Sequence, residues 1–188
     1  MLDRKSFARM RGALIQMSRA RQETLGSAQR VITLSKRAIY ARQRGDSRAA
    51  GEALAGMKKE HARMLTLAKA FPGLLGHQSV RTASQELVEA ACYLALEERK
   101  ALPAAAGLKV DALAYMLGVA DLTGELVRSA VLAAIDRNKP RVSELREILR
   151  AIYAELIAVE ARDSDLRRKI DKAGYDLEKV ENLLLDLR

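Results

Sequence analysis

The chain has 188 residues, the size of one ordinary domain, so we predict a single domain over residues 1–188. Aromatic residues make up 4% and tryptophan is absent, which excludes most sheet-rich folds. Abundant Ala, Leu, Arg and Glu favour an all-α fold, an antiparallel bundle of about six to seven helices. The net charge of +9 arises within residues 1–50, which hold 12 Lys and Arg against 3 Asp and Glu and thus favour a polyanionic partner.

The apolar stretches are shorter than the roughly 20 residues of a membrane span, and the N-terminal residues do not resemble a signal peptide. Cys92 is the single cysteine, so no internal disulfide can form. We therefore expect a soluble protein of the cytoplasm.

Apolar periodicity and the breaks between periodic segments predict six main helices. In chain order they span residues 3–44, 47–71, 79–102, 111–137, 142–160 and 165–187. Glycine and proline signals end the first three, at Gly45-Asp46, Pro72-Gly73 and Pro103. We expect Ser47 to cap the second helix and residues 104–107 to form a linker.

The last predicted helix has apolar residues at alternating spacings of four and three, as in a coiled coil. They are Leu166, Ile170, Ala173, Leu177, Val180, Leu184 and Leu187. The fourth helix repeats this spacing from Leu113 to Ala134, and its other flanks are apolar too. Such a helix is usually buried on several sides, within a bundle or under a neighbouring subunit.

The sequence contains no P-loop, no Gly-Xaa-Ser-Xaa-Gly, no Gly-rich dinucleotide turn and no Cys-Xaa-Xaa-Cys. His61 and His77 stand far apart, and we interpret each as a solvated or locally bonded side chain rather than a ligand. Cys92, among alanines and leucines, is interpreted as a small core residue.

Glu86 and Glu89 are the first candidates for chemistry, because a spacing of three places both on one face of a helix. A solvated acidic face is the simple interpretation. However, Leu87, Val88 and Leu94 make the flanks apolar, and two carboxylates in such surroundings need a cation, a shared proton or a basic partner. Mg²⁺ would satisfy this need and can support phosphodiester hydrolysis.

The fourth helix carries Asp121, Glu125 and Arg128 on an otherwise apolar rod. Buried charges are seldom left unpaired, so Glu125 and Arg128 are expected to form an internal ion pair. The alternative is that Asp121 or Glu125 serves as a further metal ligand.

A basic stripe lies on the first helix, where Arg30, Arg37 and Arg44 recur every seven residues. Its other members are Arg19, Lys36 and Arg42. The stripe is either a solvated surface or a track for nucleic-acid phosphates, which would give salt-dependent, sequence-independent binding. Few aromatic residues are available, so stacking on unpaired bases is expected to be limited.

Several segments, spread over nearly the whole chain, resemble the translin family. Residues 115–128, YMLGVADLTGELVR, are similar to the signature of translin-associated factor X, and a run of this length is specific. The similarity continues in the same order through residues 32–40, 85–90, 165–169 and 175–182. With no obvious extension for nuclear targeting, the chain resembles a compact bacterial or archaeal homologue.

The resemblance implies a helical bundle that assembles into a hollow, usually octameric shell, as a homo-oligomer or with a translin-like subunit. The family binds single-stranded or short duplex RNA and also DNA. The factor X subunit cuts RNA with acidic residues and Mg²⁺ (or Mn²⁺) on the inner wall. Glu86 and Glu89 match the two glutamates of that acidic site, which translin itself lacks.

The third acidic ligand of factor X falls on Ala154 in this chain, and the adjacent Glu155 is turned by about 100° around the helix. Either a local shift admits Glu155, or Asp121 or Glu125 completes the site, or the site is impaired. Three functions therefore stay open: a Mg²⁺-dependent endoribonuclease, a non-catalytic nucleic-acid-binding protein, and a helical scaffold. RNA cleavage with and without Mg²⁺, in the wild type and in Glu86→Ala, would separate them.

Overall fold

The computed structural model describes residues 2–187, and within that range the chain forms seven α-helices and no strand, which confirms the all-α prediction. The helices are α1 (Arg4–Gln43), α2 (Ser47–Ala70), α3 (Gln78–Glu97), α4 (Ala105–Leu108), α5 (Ala112–Ile135), α6 (Lys139–Ile157) and α7 (Ser164–Asp186). A 3-10 turn, Pro72–Leu74, follows α2.

Side-chain caps fix where six of the seven helices begin, because each cap satisfies a backbone N–H of the first turn. The capping residues are Asp3, Asp46, His77, Asp111, Asn138 and Asp163. Asp46, not the predicted Ser47, caps α2, and its carboxylate accepts from the Ala49 N–H at 2.9 Å. His77 is locally bonded, as predicted: its Nδ1 accepts from the Ser79 N–H at 3.2 Å.

Several predicted boundaries are wrong, including the end of α6, which lies at Ile157 rather than residue 160. Helix α3 ends at Glu97 rather than residue 102, because Arg99 adopts a left-handed conformation with φ of 56° that no glycine signals. Residues 104–107 are not a plain linker, since they contribute to α4. Helix α6 starts at Lys139 rather than 142, because Pro140 sits in the first turn, where its missing N–H needs no partner.

The core lies between two groups of three helices. Helices α1, α2 and α3 pack against one another, α5, α6 and α7 do the same, and contact between α3 and α5 joins the groups. The prediction that α5 is covered on several sides is confirmed, because it contacts α3, α6 and α7. The α7 seam faces this core: Leu166, Ile170, Ala173 and Val180 are buried, and Leu177, Leu184 and Leu187 are half-buried.

Gly118 sets the distance between α3 and α5. A Cβ atom at this position would lie 2.6 Å from the Gln85 carbonyl oxygen and 2.6 Å from the Val88 Cβ. Only glycine therefore allows the two backbones to approach this closely. The contact lies beside Glu86 and Glu89 on α3 and one turn before Asp121 on α5.

The first turns of α1 extend away from the core. Every side chain over residues 7–19 is exposed, including four apolar ones at spacings of three and four. These are Phe7 at 48% exposure, Met10 at 59%, Leu14 at 59% and Met17 at 47%. Within the described residues, no helix is both long and apolar enough to cross a membrane.

Candidate functional site

A cavity of about 580 Å³ lies between α1, α3 and α5, and we call it the carboxylate cavity. The residues that line it are Ser35, Lys36, Arg37, Ile39, Tyr40 and Gln43 of α1, Glu86 and Glu89 of α3, and Glu125 and Arg128 of α5. Acidic side chains thus come from two helices and basic ones surround them. The geometry brings together candidates that stand far apart in the sequence.

Glu86 and Glu89 are half-buried side by side in this cavity. Burial, followed by repulsion from Glu86, Asp121 and Glu125, raises the pKa of Glu89 to about 8. Burial also raises the pKa of Glu86, although the Ser35 hydroxyl and Lys36 oppose that change. Both carboxyl groups therefore sit where added positive charge would be favourable.

Asp121 and Glu125 reach the same region from α5, but each already has a protein partner. Asp121 forms an ion pair with Lys169 of α7. Glu125 accepts a hydrogen bond from Gln43 Nε2 at 2.7 Å. The predicted ion pair between Glu125 and Arg128 is wrong, because the Arg128 side chain is exposed at the cavity and Glu125 turns towards α1.

In residues 2–187, no three His, Cys, Asp or Glu side chains are arranged as a ready metal-binding group. The available donors are nevertheless carboxylate oxygens, which are the ligands that Mg²⁺ and Mn²⁺ prefer. The raised pKa of Glu89 is the observation that fits a cation here, because a divalent ion would relieve the repulsion among the carboxylates. The side chains that could bind such an ion are Glu86 and Glu89, together with Asp121 or Glu125.

Glu155 is not brought to the carboxylate cavity. It is exposed on α6, as is Ala154, and neither residue lines the cavity. Asp121 and Glu125 are therefore better placed than Glu155 to complete the acidic group within one chain.

The basic stripe divides into residues with different surroundings. Lys36 and Arg37 line the carboxylate cavity, whereas Arg19 lies exposed on the extended first turns of α1. Arg30 forms an ion pair with Glu60, in which the Arg30 Nε lies 2.9 Å from a carboxylate oxygen, so part of its positive charge is balanced. Arg44 stacks against an aromatic ring, with its guanidinium 5.6 Å from the centre of the Tyr40 ring.

Arg42 departs from the stripe and has a structural role. Its guanidinium donates to the Glu97 carbonyl at 2.8 Å and to the Ser47 hydroxyl at 2.5 Å. These bonds tie the end of α1 to the start of α2 and the end of α3. The side chain is therefore not free to hold phosphate.

Sequence reasoning did not assign Lys169, Gln43 or Tyr40 to the site. Lys169 and Tyr40 stand in the segments 165–169 and 32–40 that resemble the translin family, which is the one signal that pointed to them. Gln43 could be recognised only after α1 was packed against α5 and α3. When a polar or aromatic residue lies on a helix face that the sequence predicts to be exposed, the sequence does not show that it borders a cavity.

His61 and Cys92 lie outside the site. His61 is buried, and its Nε2 is 3.0 Å from the Ser84 hydroxyl of α3, so it is bonded across helices rather than solvated or locally bonded as predicted. Burial lowers the pKa of His61 to about 4. Cys92 is a buried core residue, as predicted, and burial raises the pKa of its thiol to about 12.

A family model described as Translin family matches residues 74–188, which include Glu86, Glu89, Asp121 and Glu125. The crystal structure of apo-NeC3PO is similar with a TM-score of 0.91 at 24% identity, over 100% of this chain and 99% of that one. AfC3PO is similar with a TM-score of 0.88 at 22% identity, over 97% of this chain and 96% of that one. The structure of an AfC3PO–duplex RNA complex is similar with a TM-score of 0.81 at 22% identity, over 97% of this chain and 96% of that one. No curated protein matches the chain.

Proposed function

The chain belongs to the translin family, and we propose that it is an RNA-binding, metal-dependent endoribonuclease of the factor X type. The observation that carries this proposal is the carboxylate cavity, where Glu86 and Glu89 of α3 meet Glu125 of α5, and Asp121 of α5 is close enough for its charge to act on Glu89. Carboxylates gathered around a cation beside basic side chains are the usual arrangement for phosphodiester hydrolysis.

RNA is the polyanion that fits the surroundings of these carboxylates. Lys36, Arg37 and Arg128 border the cavity and would hold phosphates on either side of the bond that is cut. The structure of AfC3PO with duplex RNA is that of a protein with the same fold, which supports RNA as the ligand. Single-stranded DNA carries the same backbone charge and is expected to bind as well.

The roles of the acidic residues follow from their partners. Glu86 and Glu89, with Asp121 or Glu125, would hold Mg²⁺ or Mn²⁺, which when bound lowers the pKa of water and neutralises charge on the phosphate. Lys169 holds Asp121 in position from α7. Gln43 of α1 holds Glu125 in position in the same way. Residues of α7 and α1 therefore orient the acidic side chains of α5.

A cleavage assay with a matched variant tests the enzymatic part of the proposal. Labelled RNA is incubated with the wild type, Glu86→Ala, Glu89→Gln and Glu155→Gln, each with Mg²⁺ and with EDTA. We expect cleavage only in Mg²⁺, loss in both α3 variants, and retention in Glu155→Gln, because Glu155 is exposed outside the cavity. RNA affinity should stay nearly unchanged in all variants, since the basic residues supply most of the binding.

A non-catalytic nucleic-acid-binding protein is the alternative, and the protein partners of Asp121 and Glu125 are the observation that favours it. Lys169 and Gln43 bond to these carboxylates, so protein groups alone can satisfy them. Binding of RNA by the wild type without cleavage in Mg²⁺ or Mn²⁺ would establish this alternative. Cleavage that survives Glu86→Ala and Glu89→Gln would place the chemistry elsewhere.

A further inference from the structure

A second cavity of about 610 Å³ lies between α1 and α2, next to the carboxylate cavity. Arg37 and Tyr40 line both cavities, so these two side chains form the wall between them. A volume of this size is within the range of about 300 to 1,000 Å³ that is typical of small-ligand pockets. A ligand that passes over the wall would place one part in each cavity.

The wall presents a stacking surface. Tyr40, in the last turn of α1, is 54% exposed. The Arg44 guanidinium lies over the Tyr40 ring, 5.6 Å from its centre, so an aromatic and a guanidinium group together border the cavity. Aromatic rings and guanidinium planes are the surfaces on which unpaired nucleobases stack.

Side chains of both signs line each cavity. Lys36, Arg37 and Arg128 accompany the glutamates of the carboxylate cavity, and Arg37 and Arg44 accompany Asp46 and Glu52 in the second cavity. The Asp46 and Glu52 carboxylates can accept from the N–H groups of a base. Together with the exposed Tyr40 ring, these acceptors suit a base in the second cavity.

We propose that the second cavity is a nucleobase pocket, in which an unpaired base next to the scissile phosphate stacks on Tyr40 and Arg44 while Arg37 holds the phosphate between the two cavities. This inference rests on the proposed function, because it requires the chain to bind RNA. It adds a requirement that the site itself does not impose: one base beside the cleaved bond must be unpaired.

The test measures binding in EDTA, so that it does not depend on cleavage. Short single-stranded RNAs, intact or with an abasic nucleotide at successive positions, are titrated into the wild type, Tyr40→Leu and Tyr40→Phe. We expect Tyr40→Leu to weaken binding of intact RNA by about 5- to 150-fold, the usual effect of losing one stacked base. Tyr40→Phe should bind like the wild type, because the ring remains.

The abasic series identifies the pocket. At one position, loss of the base should weaken binding to the wild type by a similar factor, and Tyr40→Leu should then cause no further loss. The fluorescence of a 2-aminopurine placed at that position should be quenched on binding to the wild type but not on binding to Tyr40→Leu. The matched control is Tyr175→Leu, which removes another exposed tyrosine, 65% exposed on α7 and outside both cavities, and should change nothing.

The outcomes separate this inference from the proposed function. Equal RNA affinity of the wild type and Tyr40→Leu, or weakening that persists on every abasic RNA, would overturn the nucleobase pocket and leave the nuclease proposal standing. A change in oligomer mass in Tyr40→Leu without a change in RNA affinity would show that the cavity is a subunit contact. No RNA binding by the wild type would overturn both proposals.

Discussion

The carboxyl group of Glu89 lies in surroundings that disfavour its charge, because it is buried near three other carboxylates. Its pKa of about 8 in the folded protein is far above the value of roughly 4.3 for glutamate in an unfolded chain. The folded state therefore binds the proton more tightly. The stabilising contribution is complete below about pH 4 and is lost as the pH rises towards 8.

Glu89→Gln should remove this dependence. In EDTA, we expect the variant to match the wild type in free energy of unfolding near pH 4 and to exceed it at pH 8 by an amount of the order of a few kcal/mol. Urea unfolding at the two pH values measures the difference. Adding Mg²⁺ at pH 8 should stabilise the wild type more than the variant, because only the wild type has the full set of carboxylates.

The opposite result has a clear meaning. If Glu89 were half of a buried ion pair, its removal would destabilise the protein by about 3 to 5 kcal/mol at pH 8. Destabilisation of that size would show that Glu89 is a structural residue. Glu155→Gln, which changes an exposed carboxylate, is the control and should leave the pH dependence unchanged.

At the scale of the helices, the close contact of α3 and α5 at Gly118 aligns the acidic side chains. In Gly118→Ala the new Cβ would lie 2.6 Å from backbone and Cβ atoms of α3, so the helices must separate. Overpacking of this kind costs typically about 1 to 3 kcal/mol. We expect lower stability in urea unfolding and, in the protein that remains folded, reduced Mg²⁺-dependent cleavage, because Asp121 moves away from Glu86 and Glu89.

Gly51→Ala is the matched control for this helix contact. Gly51 is exposed within α2, and no atom lies within 4 Å of the position its Cβ would take. The substitution should stabilise the protein by about 0.5 to 1 kcal/mol through helix propensity and should not affect cleavage. Gly118→Ala with unchanged stability and cleavage would show that the α3–α5 distance does not control the site.

The sequence predicted what depends on position along one helix. The spacing of Glu86 and Glu89 placed them on one face, and periodicity identified α7 and the coverage of α5. The ends of helices were harder, because Arg99 ends α3 in a left-handed conformation without a glycine. The partners of Asp121 and Glu125 could not be derived, since Lys169 and Gln43 approach from helices distant in sequence and only packing brings them together.

For the whole molecule, α1 presents an apolar row that stays about half exposed, formed by Phe7, Met10, Leu14 and Met17. Such a row at spacings of three and four is a helix-pairing surface, and a contiguous exposed apolar surface favours association. We therefore expect copies of the chain to associate through this row. The mass in solution should therefore exceed the 20.7 kDa of one chain.

Light scattering coupled to size exclusion tests both the assembly and its contact surface. We expect the wild type to be oligomeric at micromolar concentration and Leu14→Glu to shift the population towards smaller species, because a charge in an apolar contact is costly to bury. Gln16→Glu adds the same charge to the same turn beside the row, at a residue that is already polar and exposed, and should keep the wild-type mass. A monomeric wild type would contradict the assembly, whereas an oligomer unaffected by Leu14→Glu would place the subunit contact outside the first turns of α1.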